Sequence, residues 1–457
     1  MSESITRNCA DLAAVVMAAG KGTRMKSDTA KVLHPIMGRP MIRYVLDTLQ
    51  EVQASPQVIV IGHAAESVRE ACGEAYAYAL QQEQHGTGHA VQTALPELAG
   101  FAGDVLIVSG DMPLVPASVW QALVSLHRAE GNDFTILTAN SAAHRDFGRI
   151  VRQPDGQVAK IVEAKDCSPE EYALTEVNLG AYCAKADFLR TMLPLLSSDN
   201  AQGELYLTDL VSLGQQHSKR VGAMLTEDIA CALGVNSRAD LAQATAVIKA
   251  RILRTLMLSG VTVLDPVTTW IEPTVKIGCN TVILPGTMLQ GTTSIGCSCQ
   301  IGPNTQITDS SLGDSCSVSH SVLWQAEVGR AAKIGPFAYL RPGTQLRDSV
   351  KVGDFVEIKN SIIDDGTKIP HLTYVGDSDV GSHTNIGCGT ITCNYDGQHK
   401  HRTVIGDNVF IGSNTSLIAP VNIGDGAKTG AGAVITKDVA PGSVVVGVPA
   451  HPLSEKH

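Results

Sequence analysis

The chain has 457 residues, which is too long for one ordinary hydrophobic core and predicts two or three domains. Its formal net charge of -10 argues against a nucleic-acid partner, which would require a basic surface. The 11 cysteines include no C-x-x-C pair and no apolar stretch is as long as a membrane span, so we expect a cytoplasmic protein with reduced thiols and no membrane partner.

The first predicted element is a short apolar strand followed by a glycine-rich, basic loop, AAGKGTRMKSDTAKVLH. Only one residue separates Gly20 from Gly22, which does not fit a P-loop, and the third glycine of a Rossmann fingerprint is absent. Backbone N–H groups of the loop and the cations Lys21, Arg24 and Lys31 could together surround a triphosphate. A plain glycine turn without a ligand remains an alternative at this point.

Short apolar runs then alternate with longer segments up to about residue 233. The sequences VIVIG, DVLIVSGD and FTILTA predict buried strands, and residues 118–131 predict an amphipathic helix. This alternation predicts an α/β domain with a mostly parallel sheet that helices cover on both faces.

A single helix is predicted next. Ser237 can cap its amino end and Gly260 can end it. Its apolar stripe consists of Leu241, Ile248, Ile252 and Leu256. We expect this helix to link two domains, which gives the divisions 1–235, 236–259 and 260–457.

After Gly260 the sequence adopts a period of six residues. The recurring apolar positions are Ile277, Ile283, Leu289, Ile295, Ile301 and Ile307, then Val322, Val328, Ile334, Leu340, Leu346, Val352 and Ile358, then Ile405, Ile411, Leu417, Ile423, Thr429 and Ile435. This period is typical of a hexapeptide β-helix, whose coils are stable only when stacked. The segment GTITCNYDGQHKHRT, residues 389–403, breaks the period and is predicted to leave the β-helix as a loop.

The motif AAGKGTRM…KVLH resembles the opening of the sugar-nucleotide pyrophosphorylases. With the hexapeptide half, the chain from about residue 12 to 449 resembles the bacterial bifunctional enzymes that combine a glucosamine-1-phosphate N-acetyltransferase with an N-acetylglucosamine-1-phosphate uridylyltransferase. The resemblance implies an α/β nucleotidyltransferase domain with a Rossmann-like sheet, then the linker helix and a left-handed hexapeptide-repeat β-helix. It also implies a homotrimer that makes UDP-N-acetylglucosamine from UTP, acetyl-CoA and hexosamine 1-phosphates and uses Mg²⁺.

The same resemblance implies the residues of the uridylyltransferase site. Arg24 and Lys31 would be catalytic cations, Gln81 would read the uracil, and Asp111 and Asn236 would be the ligands of Mg²⁺. The N-acetylhexosamine would be held by Gly148, Glu163 and Asn178. The complete set implied for UDP-N-acetylglucosamine is Met17, Ala18, Ala19, Gly20, Lys31, Gln81, Gly86, Thr87, Ser109, Gly110, Asp111, Gly148, Glu163, Asn178 and Asn236.

The stretch KIPHLTYVGDSDVGSHTNIGCGTITCNYDG resembles the acetyltransferase site of the same enzymes. His371 is implied as the general base, because imidazole titrates near cellular pH. The residues implied for glucosamine 1-phosphate are Arg341, Lys359, Tyr374 and Asn385. Those implied for acetyl-CoA are Cys388, Asn394, Tyr395, Ser413 and Ala431.

The chain departs from the family pattern at several positions. Cys388 stands where alanine is common, and Gly447 stands where an arginine that meets CoA is expected. In the other half, Ser109 and Leu179 replace an expected tyrosine and threonine. The basic run at residues 399–402 could compensate for the missing arginine, or it could be a solvated loop.

Two other functions remain open at this stage. The first is a monofunctional nucleotidyltransferase whose β-helix only oligomerises the chain, although the motif around His371 argues against it. The second is an inactive regulatory relative. Such a protein should have lost Arg24, Lys31 or Asp111, and all three are present.

Overall fold

The computed structural model describes residues 11–141, 146–200, 202–228 and 234–452. The chain separates into two compact units, Met1–Ile248 and Lys249–His457. The boundary between the units lies inside a long helix, Arg238–Leu258, which occupies most of the predicted linker. The division into three parts at residues 235 and 259 remains a prediction.

Nine strands of the described residues form one sheet in the first unit. They are β1 Leu12–Met17, β2 Gln57–Ile61, β3 Ala77–Leu80, β4 Asp104–Ser109, β5 Phe134–Asn140, β6 Arg149–Arg152, β7 Val158–Val162, β8 Glu176–Lys185 and β9 Val221–Thr226. Their order is β9-β5-β8-β4-β1-β2-β3, with β6 paired to β8 and β7. β8 runs antiparallel to β4 and β5, and the other neighbours in this order are parallel. The predicted mostly parallel sheet is confirmed.

Helices cover both faces of this sheet because its central strand buries side chains on both. The described helices of this unit are α1 Met41–Glu51, α2 Ala65–Cys72, α3 Thr87–Ala94, α4 Ala117–Glu130, α5 Pro169–Tyr172, α6 Ala186–Met192 and α7 Leu210–Gln216, and α8 Arg238–Leu258 crosses the boundary between the units. In β1, Ala14 and Val16 belong to one apolar cluster with α1 and α4, whereas Ala13 and Val15 belong to another with α3, α6 and α7. None of the described helices combines the length and the apolar composition that crossing a bilayer requires.

The cap of α8 is the predicted one, but the buried side of the helix differs from the prediction. The N–H of Asp240 donates to Ser237 Oγ at 3.2 Å, and the N–H of Ser237 donates to the Asp240 carboxylate at 2.7 Å. Ile248 is buried together with Ala244 and Leu253. The predicted positions that are only partly buried are Leu241, Ile252 and Leu256. A search for large aliphatic residues misses alanine, which is among the residues most often buried.

The second unit is a β-helix built from three sheets, each of which receives short strands from successive coils. Sheet I runs from Thr262–Val263 to Val444–Val446, with His451–Pro452 added antiparallel at its end. Sheet II runs from Trp270–Ile271 to Val434–Ile435, and sheet III runs from Lys276–Ile277 to Val421–Ile423. The strands of successive coils are parallel, and a regular coil takes 18 residues. The predicted hexapeptide β-helix is confirmed.

The interior of the β-helix contains two kinds of side chain. The aliphatic residues of the period, such as Ile283 and Ile301, are fully buried. A small residue two positions before them is buried as well, and threonine is frequent there. The hydroxyl of Thr281, for example, donates to Gly296 O at 2.8 Å. Because an unpaired buried hydroxyl would be costly, these hydrogen bonds allow threonine in the interior.

The predicted restart of the period at Val322 is wrong by one residue. Val322 is 41% exposed, and the inward residue is Leu323, which is fully buried. Some steps after Ile307 are one residue shorter than the period, so the β-helix continues without a break. The inward residues of this stretch are Leu312, Val318 and Leu323. Because side chains alternate along a strand, a shift of one residue moves a side chain to the opposite face.

The segment that leaves the β-helix is shorter than predicted. Ile391–Cys393 is a strand of sheet II, and Thr403–Ile405 is a strand of sheet III. Both pair in register with the strands of the next coil. Residues 394–402 therefore form the excursion, and we call them the ejected segment. The inward residue of the first strand is Thr392, a polar residue that an aliphatic period does not detect.

Substitutions at adjacent positions test the corrected register. We expect Leu323→Ala to lower the free energy of unfolding of the full-length chain by about 2–5 kcal/mol, because it leaves a cavity in the interior. Val322→Ala shortens an exposed side chain and should change the same quantity by less than about 0.5 kcal/mol. Urea unfolding followed by circular dichroism measures both. Equal effects of the two substitutions would contradict the register.

Candidate active sites

The glycine loop and the ends of two strands meet at one cavity in the first unit. Because β1 and β4 are adjacent and parallel, their carboxyl ends bring residues 18–20 next to Gly110, whose N–H donates to Met17 O at 2.9 Å. The cavity has a volume of about 230 Å³. Nine of the residues implied for the nucleotide line it: Met17, Ala18, Ala19, Gly20, Lys31, Gln81, Gly86, Thr87 and Ser109.

Lys31 connects this cavity to the two residues implied as metal ligands. Its ammonium is bonded to the Asp111 carboxylate and, at 3.2 Å, to Asn236 Oδ1. Gly22 permits this placement, because it has a φ of +59° and a Cβ there would lie only 2.7 Å from Lys31 Cβ. The two oxygens therefore converge on one point, which the Lys31 ammonium occupies and where a metal ion could bind instead. Carboxylate and amide oxygens are the ligands that Mg²⁺ prefers, so these residues fit the ion.

Backbone hydrogen bonds fix the two oxygen-bearing residues relative to each other. The N–H of Val235 donates to Asp111 O at 3.0 Å, and the N–H of Asn236 donates to the Asp240 carboxylate at 3.0 Å. Within the described ranges, no group of three or more His, Cys, Asp and Glu side chains could hold a metal ion. Asp111 and Asn236 offer one carboxylate and one amide oxygen to a metal ion.

Two glutamines line the same cavity. Gln81 is buried, and its Nε2 donates to Gly86 O at 3.2 Å and lies 3.1 Å from His89 Nδ1. These contacts fix the orientation of its amide. Gln84 Nε2 donates to Ala19 O at 2.5 Å and so connects this segment to the glycine loop. The sequence interpretation missed Gln84, although it lies in the same LQQEQHGTG stretch.

The three residues implied for the hexosamine lie together. Asn178 N–H donates to Gly148 O at 2.9 Å, and a Cβ on Gly148 would lie 3.6 Å from Glu163 Oε1. Asn178 Nδ2 donates to the hydroxyl of Tyr182 at 2.8 Å. Burial raises the pKa of Glu163, and the nearby Asp166 raises it further. None of the three implied residues lines the cavity of the glycine loop.

Arg24 is a predicted catalytic cation that the structure does not bring to the cavity. It lies in the short helical turn Thr23–Met25, and its side chain is exposed. Lys31, by contrast, is part of the cavity lining. The catalytic role of Arg24 remains a prediction.

In the second unit, the register of sheet I brings a carboxylate to His371. Asp354 and His371 are partners on the parallel strands Lys351–Asp354 and Lys368–His371. The two side chains meet with His371 Nδ1 at 2.5 Å from Asp354 Oδ1, and the hydrogen bond from His371 lowers the pKa of Asp354. Because a carboxylate only accepts, Nδ1 carries a proton in this pair, and in the neutral ring Nε2 is the nitrogen that has the lone pair. The sequence interpretation did not include Asp354.

Three residues implied for acetyl-CoA occupy the same position on successive coils. Cys388 O accepts from Asn414 N–H at 2.7 Å, and Ser413 O accepts from Gly432 N–H at 2.7 Å. The corresponding residue of the third coil is Ala431. The N–H of Gly389 likewise bonds to the coil that carries His371, through Leu372 O at 3.0 Å. His371, Cys388, Ser413 and Ala431 therefore follow one another along a single corner of the β-helix, between sheets I and II.

Residues implied for the sugar phosphate lie on successive coils of sheet II. Arg341 Nη1 donates to Glu357 Oε1 at 2.7 Å, and Tyr374 is paired with Glu357 in register. The pKa of Lys359 is lowered because the side chain of Lys400, in the ejected segment, lies next to it and disfavours a second positive charge. Two ammonium groups that face each other are a favourable place for a phosphate.

The remaining implied residues flank this group. Asn385 begins the strand Asn385–Ile386, one coil after His371 in sheet I. Asn394 is buried, and its Nδ2 donates to the Asp377 carboxylate at 2.5 Å, whereas Tyr395 is 60% exposed. Of the two implied residues in the ejected segment, the structure therefore buries Asn394 beside Asp377 and leaves Tyr395 exposed.

Part of the basic run at residues 399–402 already has partners. His401 Nε2 lies 2.7 Å from the Asp396 carboxylate, and Arg402 is paired with Asp379. These two residues are therefore less available to replace the missing arginine than their charge suggests.

Known proteins match both halves of the chain. Residues 14–204 match the MobA-like NTP transferase domain, and residues 402–437 match the bacterial transferase hexapeptide (six repeats). The bifunctional protein GlmU of Pelobacter propionicus is 49% identical over 439 residues, which cover 95% of each chain. The GlmU proteins of Trichlorobacter lovleyi and Heliobacterium modesticaldum are each 47% identical, and 95% of this chain is covered along with 95% and 94% of theirs.

The fold and the two sites define a transferase that combines a nucleotidyltransferase unit with a hexapeptide-repeat unit. The chain belongs to the GlmU family of bifunctional proteins. It is therefore a bifunctional enzyme of UDP-N-acetylglucosamine synthesis with nucleotide substrates, as the sequence resemblance predicts.

Proposed function

We propose that the first unit transfers the uridylyl group of UTP to N-acetylglucosamine 1-phosphate, and that the second unit acetylates glucosamine 1-phosphate with acetyl-CoA. The observation that carries this assignment is the presence of one site in each unit. The first unit offers a cavity with a glycine loop and Lys31, and the second offers an imidazole paired with a carboxylate. Neither pattern alone accounts for both reactions.

Uridylyl transfer requires the alignment of two polyanions, and no side-chain nucleophile is needed. The loop N–H groups and Lys31 would neutralise phosphate charge. The exposed Arg24 would contribute a further positive charge when a triphosphate binds to the loop. Asp111 and Asn236 would hold Mg²⁺, which when bound supplies positive charge to the substrate phosphates. Gln81 presents a fixed amide to the imide edge of uracil.

The hexosamine would be bound by Gly148, Glu163 and Asn178. The absence of a side chain at Gly148 leaves room beside Glu163 Oε1, and the carboxyl can accept a hydrogen bond from a sugar hydroxyl. Burial, which raises the pKa of Glu163, has already removed part of the water around this carboxyl. Hydroxyl groups of the sugar would replace the remaining water.

Acetyl transfer requires a base, because glucosamine 1-phosphate is largely an ammonium ion near neutral pH and an ammonium has no lone pair. His371 Nε2 would take the proton as the amine attacks the thioester. Arg341, Lys359, Tyr374 and Asn385 would hold the sugar phosphate. The acetyl-CoA chain would lie along the corner formed by Cys388, Ser413 and Ala431, with Asn394 and Tyr395 beside it.

Asp354 acts in this proposal as a positioning residue for His371. Its carboxylate accepts a hydrogen bond from Nδ1–H, which fixes the ring and leaves Nε2 as the basic nitrogen of the neutral imidazole. The ion pair also stabilises the imidazolium that forms when the base takes its proton.

The assembly and location follow from the same features. Flat faces of a hexapeptide β-helix bury well against copies of themselves, which supports a homotrimer. The net charge of -10 supports the absence of a nucleic-acid partner, and the scattered cysteines support a cytoplasmic enzyme without a membrane partner.

A coupled assay tests the two reactions together. The full-length protein with glucosamine 1-phosphate, acetyl-CoA, UTP and MgCl₂ should release CoA, diphosphate and UDP-N-acetylglucosamine, measured by liquid chromatography. If acetyl-CoA is left out, UDP-N-acetylglucosamine should form only when N-acetylglucosamine 1-phosphate replaces glucosamine 1-phosphate. Uridylyl transfer without any acetyl transfer would favour the monofunctional alternative.

Removal of the Asp111 carboxylate should separate the two activities. We expect Asp111→Ala to lower the rate of uridylyl transfer by more than about 10²-fold and to leave acetyl transfer unchanged, because only the first reaction would use the metal. EDTA should have the same selective effect. Asp28→Ala, at an exposed carboxylate of the same loop region, is the matched control and should change neither rate. Equal loss of both activities in Asp111→Ala would indicate a structural role.

Removal of the imidazole should have the opposite selectivity. We expect His371→Ala to lower acetyl turnover by ~10²–10⁴-fold, the usual contribution of a general base, with uridylyl transfer unchanged. His383→Asn replaces an exposed histidine of the same β-helix and should retain full activity. A His371→Ala enzyme that keeps most of its acetyl turnover would exclude this base.

Asp354→Asn tests the positioning role. The amide of asparagine can donate to Nδ1 and so moves the ring proton to Nε2, which can then no longer accept a proton. We expect the kcat of acetyl transfer to fall by ~10²–10⁴-fold while the KM for acetyl-CoA stays within a factor of about two. The ¹⁵N shifts of His371 should report the change of tautomer. Lost activity with an unchanged tautomer would refute the role.

A further inference from the structure

A second corner of the β-helix, which follows the strands of sheet III, carries a column of stacked side chains. We call it the corner column, and it is separate from the corner of His371, which follows the strands of sheet I. Each member is the second residue after an inward aliphatic residue. The column consists of Cys279, Cys297, Asp314, Arg330, Asp348, Asp365, Ser382, Asp407 and Asp425.

The aspartates of the corner column satisfy the backbone of the preceding coil. Asp314 Oδ1 accepts from Cys297 N–H at 2.7 Å, and Asp407 Oδ1 accepts from Ser382 N–H at 2.7 Å. Asp425 Oδ1 likewise accepts from Asp407 N–H at 2.9 Å. Aspartate at this position therefore has a structural explanation.

The first two coils carry cysteine at this position. Cys279 Sγ and Cys297 Sγ lie 3.3 Å apart. The coils are aligned because Ile277 pairs with Ile295, and Ser298 N–H donates to Cys279 O at 3.0 Å. Neighbouring strands lie about 4.7–4.9 Å apart, within the separation of about 4.4–6.8 Å between the Cα atoms of disulfides. The two cysteines can therefore be joined without a large backbone movement.

The two thiols differ in access. Cys279 is exposed and Cys297 is partly buried. The pKa of Cys297 is raised because its thiol hydrogen-bonds to Cys279. Because an oxidant in solution reaches the exposed thiol first, the first reaction falls to Cys279, and Cys297 is placed to react second.

We propose that Cys279 and Cys297 form a modification site at which a hydroperoxide produces a disulfide between two coils. The Cys279 thiolate attacks the peroxide, the O–O bond breaks, and a sulfenic acid forms as an alcohol or water leaves. The Cys297 sulfur then attacks the Cys279 sulfur, the S–S bond forms, the S–O bond breaks, and water leaves. Two thiols are oxidised and one peroxide is reduced. The sulfur atoms move from 3.3 Å to a bond length of about 2.05 Å.

Another cysteine pair offers a matched control. Cys299 and Cys316 also lie on successive coils, but both are buried in the interior. They occupy the position at which other coils have a hydroxyl residue, such as Thr281 or Thr367. Serine therefore fits at both positions, and burial protects this pair from an oxidant in solution.

The test treats the full-length protein with hydrogen peroxide and measures its intact mass. We expect the loss of two hydrogens, restored by dithiothreitol. Chymotrypsin cleaves at Leu289, between the two cysteines, and should yield peptides that stay joined only in the oxidised protein. Cys279→Ser and Cys297→Ser should each abolish the link, whereas the double variant Cys299→Ser/Cys316→Ser should retain it.

The oxidised protein should also unfold at a higher temperature, because the link restricts the unfolded chain. Circular dichroism of each variant before oxidation establishes that it is folded. The proposal is overturned if the folded wild-type protein gains no link, if the link joins two chains, or if it is lost in the double variant and kept in Cys279→Ser.

Discussion

The backbone register between successive coils determines where each functional side chain of the second unit lies. One coil cannot bury its own interior residues, so it must stack on the next, and stacking aligns equivalent positions of the two coils. Asp354 meets His371 for this reason, and Cys388, Ser413 and Ala431 form one line along a corner. The same constraint that makes the fold stable therefore assembles the proposed acetyltransferase site from residues on different coils.

The first unit places its site by a different constraint. The carboxyl ends of the parallel strands β1 and β4 lie side by side, so the glycine loop and Ser109 share one cavity. Charge completes the arrangement, since Lys31 is drawn to the two oxygens implied as metal ligands. In the second unit, Lys359 and Lys400 face each other instead. Both sites thus hold charges that an anionic substrate or a cation would balance.

Much of this could be predicted from the sequence, and the omissions have physical reasons. The six-residue period identifies the β-helix because one aliphatic residue of each repeat points into its interior. The period could not locate Leu323, because steps of unequal length shift the register by one residue. Asp354 was missed because its relation to His371 depends on the exact length of a coil. Arg24 was predicted from its motif, but its side chain is exposed and does not line the cavity. A motif identifies a residue, but it does not determine where the side chain points.

The ejected segment has a consequence for the evolution of this architecture. Its two ends, Ile391–Cys393 and Thr403–Ile405, stay in register with the next coil, so residues 394–402 can change in length at little cost in chain entropy. An insertion within a strand would instead turn the following side chains of that strand to the opposite face. The length of this segment, and with it the contacts that it could offer to a substrate, can therefore vary while the register of the surrounding coils is kept.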